Sequence, residues 1–381
     1  MRYIEQCIAF LLYGRRFVDR PFYSSTPALM PPVTMTRERK ESIRAVPWRS
    51  SSHPKKVLAI RLQAFGDTVI TFPYLQSLRS HWPSAELHFL TREEFSDLPR
   101  NLKTFDAVHA VGGGRNRLLQ AADTLRLIPQ LRKERYDVVI DLQRNRFSRM
   151  IRRLLHPESF SEFDRFSLKP AGERTSSAIN ALLHQPIQEH LPLLALKEGV
   201  RSAAALRVEK KRIVVLNPAG SFPTRNWPLE RYVEFAEKWI AHVDADAQFA
   251  TLGTEQILNK AGYLEKTLGA RLINLAGRTL TSEAFAIVQQ AELVVSEDSG
   301  LMHMAWVAQV PVVALFGSTR SAWSGPLGKW SVCLNSSDLE CGECLQAACR
   351  FGDIHCLTRY SADVVVETAK KLLENKRRSG E

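Results

Sequence analysis

Nine short apolar runs, each ending in a polar or glycine-rich turn and most followed by a helical pattern, constrain this chain more than any other feature. They are KKVLAIRL (55–62), AELHFLT (85–91), DAVHAV (106–111), YDVVIDL (136–142), RIVVLNP (212–218), QFATLG (248–253), ARLINLAG (270–277), AELVVSED (291–298) and PVVALFG (311–317). Runs of this length and composition predict buried strands. Strands alternating with helices predict a parallel sheet covered on both faces, the α/β doubly wound class. The helices between them are amphipathic. In PLERYVEFAEKWI, Leu229, Tyr232, Val233, Ala236, Trp239 and Ile240 recur at helical spacing and mark one apolar face.

A polar, Pro-containing stretch around 184–212 interrupts the alternation and divides it into two βα domains, 55–195 and 205–375, behind an extension at 1–54. The part of that extension at 20–55 is rich in Pro, Ser, Thr and Arg and reads as linker or disorder. Doubly wound sheets bind ligands at the carboxyl ends of their strands, so a cleft lined by the strand-end turns is the expected site.

Those turns exclude two nucleotide-binding motifs. The GGG at 112–114 cannot start a G-x-G-x-x-G, because Arg117 stands where the last glycine is needed, and no P-loop motif occurs. Three other turns carry chemistry. QAFGD (63–67) puts Gly66 in a strand-to-helix turn and Asp67 at the helix start. There it can cap the helix, or serve as a general base whose carboxylate is kept ionised by the helix end. NPAGSFPTRNWP (217–228) places the small residues Gly220 and Ser221, then Arg225, where backbone N–H groups and a guanidinium can meet an anion. VVSEDSGLMHMAWVA (294–308) ends a strand in Ser296, Glu297, Asp298, Ser299 and Gly300 and opens a helix. Its free N–H groups suit a pyrophosphate, while Asp298 would accept bonds from sugar hydroxyls or hold Arg225. His303, one turn inside, serves either packing or chemistry, and Glu297 has no role in this reading.

Charge adds a second theme. The net charge is +12, and residues 1–55 hold ten Lys/Arg against four Asp/Glu. That basic arm suits either a solvated tail or a phosphate-rich surface such as anionic lipid. No run reaches the length of a membrane span; IAFLLY (8–13) is too short and lacks a secretory cleavage site, though it could form one face of a short interfacial helix. Of six cysteines, Cys7 stands alone and five lie between 333 and 356, which favours a reducing compartment over a disulfide framework. Cys341, Cys344, Cys349 and Cys356 follow a C-x2-C-x4-C-x6-C spacing that allows either a structural zinc or iron or a small cysteine-rich loop.

Taken in order, FGD after the first strand, NPAGS…TRNWP, LAGRT (275–279), EDSGLMHMAWVA and VVALFGSTRSAWSGPLG resemble glycosyltransferase family 9, the ADP-heptose:lipopolysaccharide heptosyltransferases, over residues 55–370. The resemblance implies a GT-B architecture, two Rossmann-like domains facing a cleft, with acceptor on the N-terminal domain and nucleotide sugar on the C-terminal one. It implies an inverting, metal-independent transfer of heptose from ADP-heptose to a lipopolysaccharide inner-core acceptor at the cytoplasmic face of the inner membrane. Nucleic acid is not an expected partner. By the same resemblance Asp67 matches the catalytic base and Arg225 the residue offsetting charge on the departing diphosphate. Ser221, Ser299, Gly300 and Leu301 match diphosphate contacts, and Gly220 lies in the same loop. Asp298 lies near the sugar, His303 belongs to its motif, and Glu255 is a candidate for the ribose or adenine. The family often has Pro where Leu301 stands, Ala where Trp306 stands and Gly where Gln309 stands; Trp306 should alter packing beneath the site. Two alternatives stay open: transfer to a protein or other glycan, and a non-catalytic relative that only binds the nucleotide sugar.

Overall fold

A computed structural model describes residues 43–114, 116–187, 192–200 and 212–380 of the chain. Cys7, the IAFLLY run and most of the basic arm lie outside the described residues.

The first half forms β1 (Ala45–Val46), β2 (Lys56–Ile60), α1 (Phe65–His81), β3 (Glu86–Arg92), α2 (Asp97–Asn101), β4 (Ala107–Val111), α3 (Arg117–Glu134), β5 (Val138–Asp141), α4 (Arg146–Leu155), β6 (Ser159–Glu162) and α5 (Ala171–Asn180). Its sheet has the order β1-β6-β5-β2-β3-β4, parallel except for the β1–β6 pair. The second half forms β7 (Ile213–Asn217), α6 (Leu229–His242), β8 (Gln248–Thr251), α7 (Leu258–Leu268), β9 (Leu272–Asn274), α8 (Thr281–Gln290), β10 (Leu293–Glu297), α9 (Gly300–Val307), β11 (Val312–Leu315), α10 (Ser321–Ser324), β12 (Ser331–Leu334), α11 (His355–Thr358) and α12 (Ala362–Arg378). Its sheet, β12-β11-β10-β7-β8-β9, is parallel throughout.

The central strands are buried on both faces because their side chains alternate between two cores. In β2, Val57 and Ala59 enter one apolar cluster while Leu58 and Ile60 enter another. In β7, Ile213 and Val215 face the first of these clusters, and Val214 and Leu216 face a third beneath α6 and α12. This period-2 partition makes continuous apolar runs the right strand signal here. Each fully buried aliphatic side chain contributes about 1.5–3 kcal/mol, and one of the clusters is shared by the two sheets.

Three strands carry no such run, and all lie at or next to sheet edges. β12 is only half-buried. β6 (SFSE) is polar, and its buried Glu162 is held by Arg152 at 2.6 Å and Arg144 at 3.3 Å. β1 lies inside the segment 1–54 expected to be linker, yet it pairs antiparallel with β6 through Ala45↔Ser161 and Val46↔Phe160. Trp48 fixes it by burying its ring and donating its indole N–H to Ser52 O at 2.7 Å.

The halves meet through helices. α1 packs on α9, and one apolar cluster runs from beneath the first sheet into the second. Asp97 of α2 reaches the start of α8, where its Oδ2 accepts the Ser282 N–H at 2.7 Å and the Thr281 hydroxyl at 3.0 Å. Gln289 Nε2 of α8 donates to Leu194 O at 2.8 Å. Among the described residues, no helix is long and apolar enough to cross a membrane.

Candidate active site

Each sheet reverses its strand order once, between β2 and β5 in the first and between β7 and β10 in the second. A crevice opens at such a switch point because the two following connections leave toward opposite faces. Side-chain amides bridge both. In the first sheet, Gln143 after β5 accepts the Leu62 and Gln63 N–H groups at 3.0 and 2.9 Å. In the second, Asn217 Nδ2 donates to Ser296 Oγ at 2.8 Å and Ser299 Oγ at 2.6 Å. The motifs singled out in the sequence leave from these two points.

Asp67 is the third residue of α1. It is therefore not the N-cap, a position taken by Ala64, but reaches back to the Ala64 N–H at 3.4 Å. Its carboxylate is 39% exposed and pairs with Arg61, Oδ2 to Nη2 2.6 Å. Arg61 is itself buried, donates to Leu142 O, and lies over the Phe163 ring at 5.1 Å. Arg174 covers the same ring at 5.0 Å. Two guanidiniums thus share one aromatic ring beside the candidate base, and the sequence reading found neither.

The second half answers across the cleft. His303 of α9 is buried and packs on Gly66, where an added Cβ would lie 2.7 Å from its Cδ2. Gly300 meets Phe65 in the same way, at 2.4 Å. These two glycines let the starts of α1 and α9 approach. Burial, the largest influence, lowers the His303 pKa, while Asp298 and Asp67 act in the opposite direction. Asp298 Oδ2 lies 3.5 Å from Arg225 Nη1, the partnership expected from the sequence. Leu301 is buried in the first turn of α9.

The loop between β7 and α6 carries Gly220, Ser221 and Arg225. A Cβ on Gly220 would sit 2.4 Å from Arg225 O and 2.6 Å from Asn226 Oδ1, so the loop folds back tightly on a glycine. Ser221 is exposed. Glu297, left without a role by the sequence, is fully buried at the foot of this loop and accepts its Gly220 and Trp227 N–H groups at 2.6 and 2.7 Å. Glu255 follows β8, the neighbour of β7, and is exposed beside Gly277. The Trp306 ring lies edge-on to that of His303, centroids 6.2 Å apart, and lines a cavity of about 180 Å³ with Pro73, Val310, Leu327 and Trp330.

The cysteine-rich segment supports the same loop from outside. Thr224 Oγ1 donates to Gln346 O at 2.5 Å, and Leu345 N to Ser318 O at 2.8 Å. Cys341, Cys344, Cys349 and Cys356 are free thiols. Among the described residues no group of three or more His, Cys, Asp or Glu side chains is arranged to hold a metal ion. Burial first, and then the three neighbouring cysteines, push the Cys356 thiol up to about 11.

Comparison with known proteins agrees with this geometry. The family profile Glycosyltransferase family 9 (heptosyltransferase) matches residues 124–355, more than half of the chain. The chain is similar to lipooligosaccharide heptosyltransferase 2 of Campylobacter jejuni, with 24% identity over 320 residues covering 81% of this chain and 96% of that protein. Its fold is similar to a family 9 glycosyl transferase from Veillonella parvula (TM-score 0.71, 18% identity, 84% of this chain and 97% of that one). It is also similar to the ADP-heptose lps heptosyltransferase II of E. coli (TM-score 0.67, 19% identity, 84% and 99%). Two parallel Rossmann-like sheets, their switch points turned to one cleft, and this profile match place the chain in glycosyltransferase family 9, the heptosyltransferase family, as a glycosyltransferase of GT-B architecture.

Proposed function

We propose that the protein transfers heptose from ADP-heptose to a lipopolysaccharide inner-core acceptor, with inversion and without a metal ion. The first domain, 55–195, receives the acceptor and the second, 205–375, the nucleotide sugar. The observation that carries this reading is the line of groups across the cleft. Asp67 stands on one side, His303 packs on the glycine beside it, and the Asp298–Arg225 pair completes the other side. An acceptor hydroxyl attacks the anomeric carbon as the bond from that carbon to the diphosphate oxygen breaks. Asp67 takes the hydroxyl proton, and ADP leaves with the electron pair. Arg225, Ser221 and the first-turn N–H groups of α9 at Ser299, Gly300 and Leu301 offset the leaving-group charge, which removes the need for a divalent cation.

Asp298 receives sugar hydroxyls, and Glu255 faces the nucleoside. Arg61 and Arg174 match an anionic acceptor; pairing of that acceptor with Arg61 would release Asp67 for proton transfer. The names of the similar proteins support donor and acceptor alike. The basic residues at 1–55 suit peripheral contact with the cytoplasmic face of an inner membrane.

The test is ADP release and acceptor mass gain with ADP-heptose and a lipopolysaccharide core panel, with and without EDTA. Asp67→Asn is expected to lower kcat at least about 100-fold, the scale of a lost general base, with ADP binding retained. Normal turnover in Asp67→Asn rules out the base, and activity abolished by EDTA rules out metal independence.

A further inference from the structure

The buried carboxylate of Glu297 lies outside the reacting groups. It ends β10, immediately before Asp298, and is fully buried. Its two oxygens take N–H groups from opposite ends of one loop, Oε2 from Gly220 at 2.6 Å and Oε1 from Trp227 at 2.7 Å. The Tyr232 hydroxyl of α6, which donates to Asn217 O at 3.3 Å, also acts on this carboxylate. Lys260 of α7 stands 4.0 Å from Oε2 and bonds the same loop at Pro218 O (2.9 Å) and Asn226 Oδ1 (3.0 Å). The segment 218–227 is therefore drawn into a closed ring around one anion, with Ser221 and Arg225 on its rim.

We infer that Glu297 is a positioning residue whose ionised carboxylate closes the 218–227 loop and so sets Arg225 and Ser221 for the nucleotide diphosphate. The inference rests on the reading of that loop as the diphosphate site. A buried acid is a costly way to hold a surface loop. What it supplies is two charged acceptor oxygens that meet two N–H donors at once; an amide offers only one such oxygen, and a protonated acid pairs one carbonyl oxygen with a weakly accepting hydroxyl. Protonation turns one oxygen into a donor facing a donor, and the ring opens on that side.

The groups facing Glu297 are Lys260 and Tyr232, with Asp298 next in the chain. Burial outweighs them and pushes the carboxyl up to about 7. The loop should thus be closed above neutral pH and loosen below it, which gives donor affinity an acid limit independent of the acceptor.

The experiment titrates ADP by calorimetry into wild type, Glu297→Gln and Arg225→Ala at pH 8 and pH 6. Comparing variants at the same pH cancels the ionisation of ADP itself. Glu297→Gln leaves one buried N–H unpaired, so its affinity should be about tenfold below wild type at pH 8. The gap should shrink to less than about twofold at pH 6, where wild type is itself mostly protonated. An equal gap at both pH values would show a merely structural residue and overturn the inference. If Arg225→Ala binds ADP like wild type, the diphosphate reading of the loop fails instead, whatever Glu297 does. Should Glu297→Gln not fold, wild type alone decides the matter. Its Gly220 and Trp227 amide proton resonances must shift together with a midpoint near 7, and invariance from pH 6 to 8 overturns the inference.

Discussion

At the scale of single residues, the molecule uses burial to set charge in opposite directions at its two ends. Glu297 is pushed up; His88 and His109 are pushed down, burial being the largest cause for both. The two imidazoles share the Tyr136 hydroxyl, at 2.9 and 3.0 Å, within reach of Glu86, Glu134 and Lys56. Lowered folded-state values mean that, as pH falls below the ordinary histidine value, the unfolded chain takes up protons that the folded one does not. These two residues therefore withdraw stability on acidification. Glu297, raised to about 7, adds stability over the same window, so the histidine contribution is read as a difference. The denaturant midpoint of wild type minus that of a His88→Gln/His109→Gln double variant should fall between pH 7.5 and 5.5. A variant as pH-sensitive as wild type would place the acid sensitivity elsewhere. The sequence shows why single residues are hard to read. The motif offers Asp298 either sugar hydroxyls or Arg225 as partners, and the structure brings it to 3.5 Å from Arg225. Glu297 was left without a role, because its function comes from backbone N–H groups whose convergence no side-chain spacing reveals. Arg61 and Arg174 meet over Phe163 only after three separate connections have folded.

At the scale of elements, the nine buried strands were legible because both of their faces are covered, so each is a continuous apolar run. The three that were not, β1, β6 and β12, are short or polar; β6 is buried, but with serines and a glutamate rather than an apolar run. Helix boundaries mattered more than helix existence. Placing Asp67 third in α1, rather than at its cap, turns its carboxylate back over the turn toward Arg61. The approach of α1 to α9 depends on Gly66, since a methyl there meets the buried His303 ring at 2.7 Å. Gly66→Ala forces the two helices apart by overpacking, which costs about 1–3 kcal/mol. It also moves the neighbouring Asp67, and displacement of about 1 Å in a reacting group can cost 100-fold in rate. The expected result is a kcat loss of about 10- to 100-fold with ADP affinity within twofold of wild type. Unchanged kcat would mean that the helix starts do not set the base.

At the scale of the whole molecule, two halves must hold one cleft geometry, and they do so through a shared apolar cluster that includes α1 and α9 and through a few polar contacts. The contacts between the halves were not legible in the sequence, because each joins residues far apart in the chain. Asp97 is the sharpest case. It belongs to α2 of the first half, yet its Oδ2 satisfies the Ser282 N–H and Thr281 hydroxyl at the start of α8 in the second. It thus caps a helix of the other domain, and loss of such a cap costs about 1 kcal/mol. The functional cost should be of a different kind. On the proposed reading, nucleotide binding depends on groups of the second half alone, whereas turnover needs Asp67 of the first aligned with them. Asp97→Ala should therefore lower kcat about three- to tenfold, consistent with a loss of about 1 kcal/mol from the aligned arrangement, while the Kd for ADP stays at its wild-type value. Denaturation, calorimetry and turnover on the same preparation separate the two. If ADP affinity falls as far as kcat does, Asp97 supports the second domain itself rather than the alignment of the two.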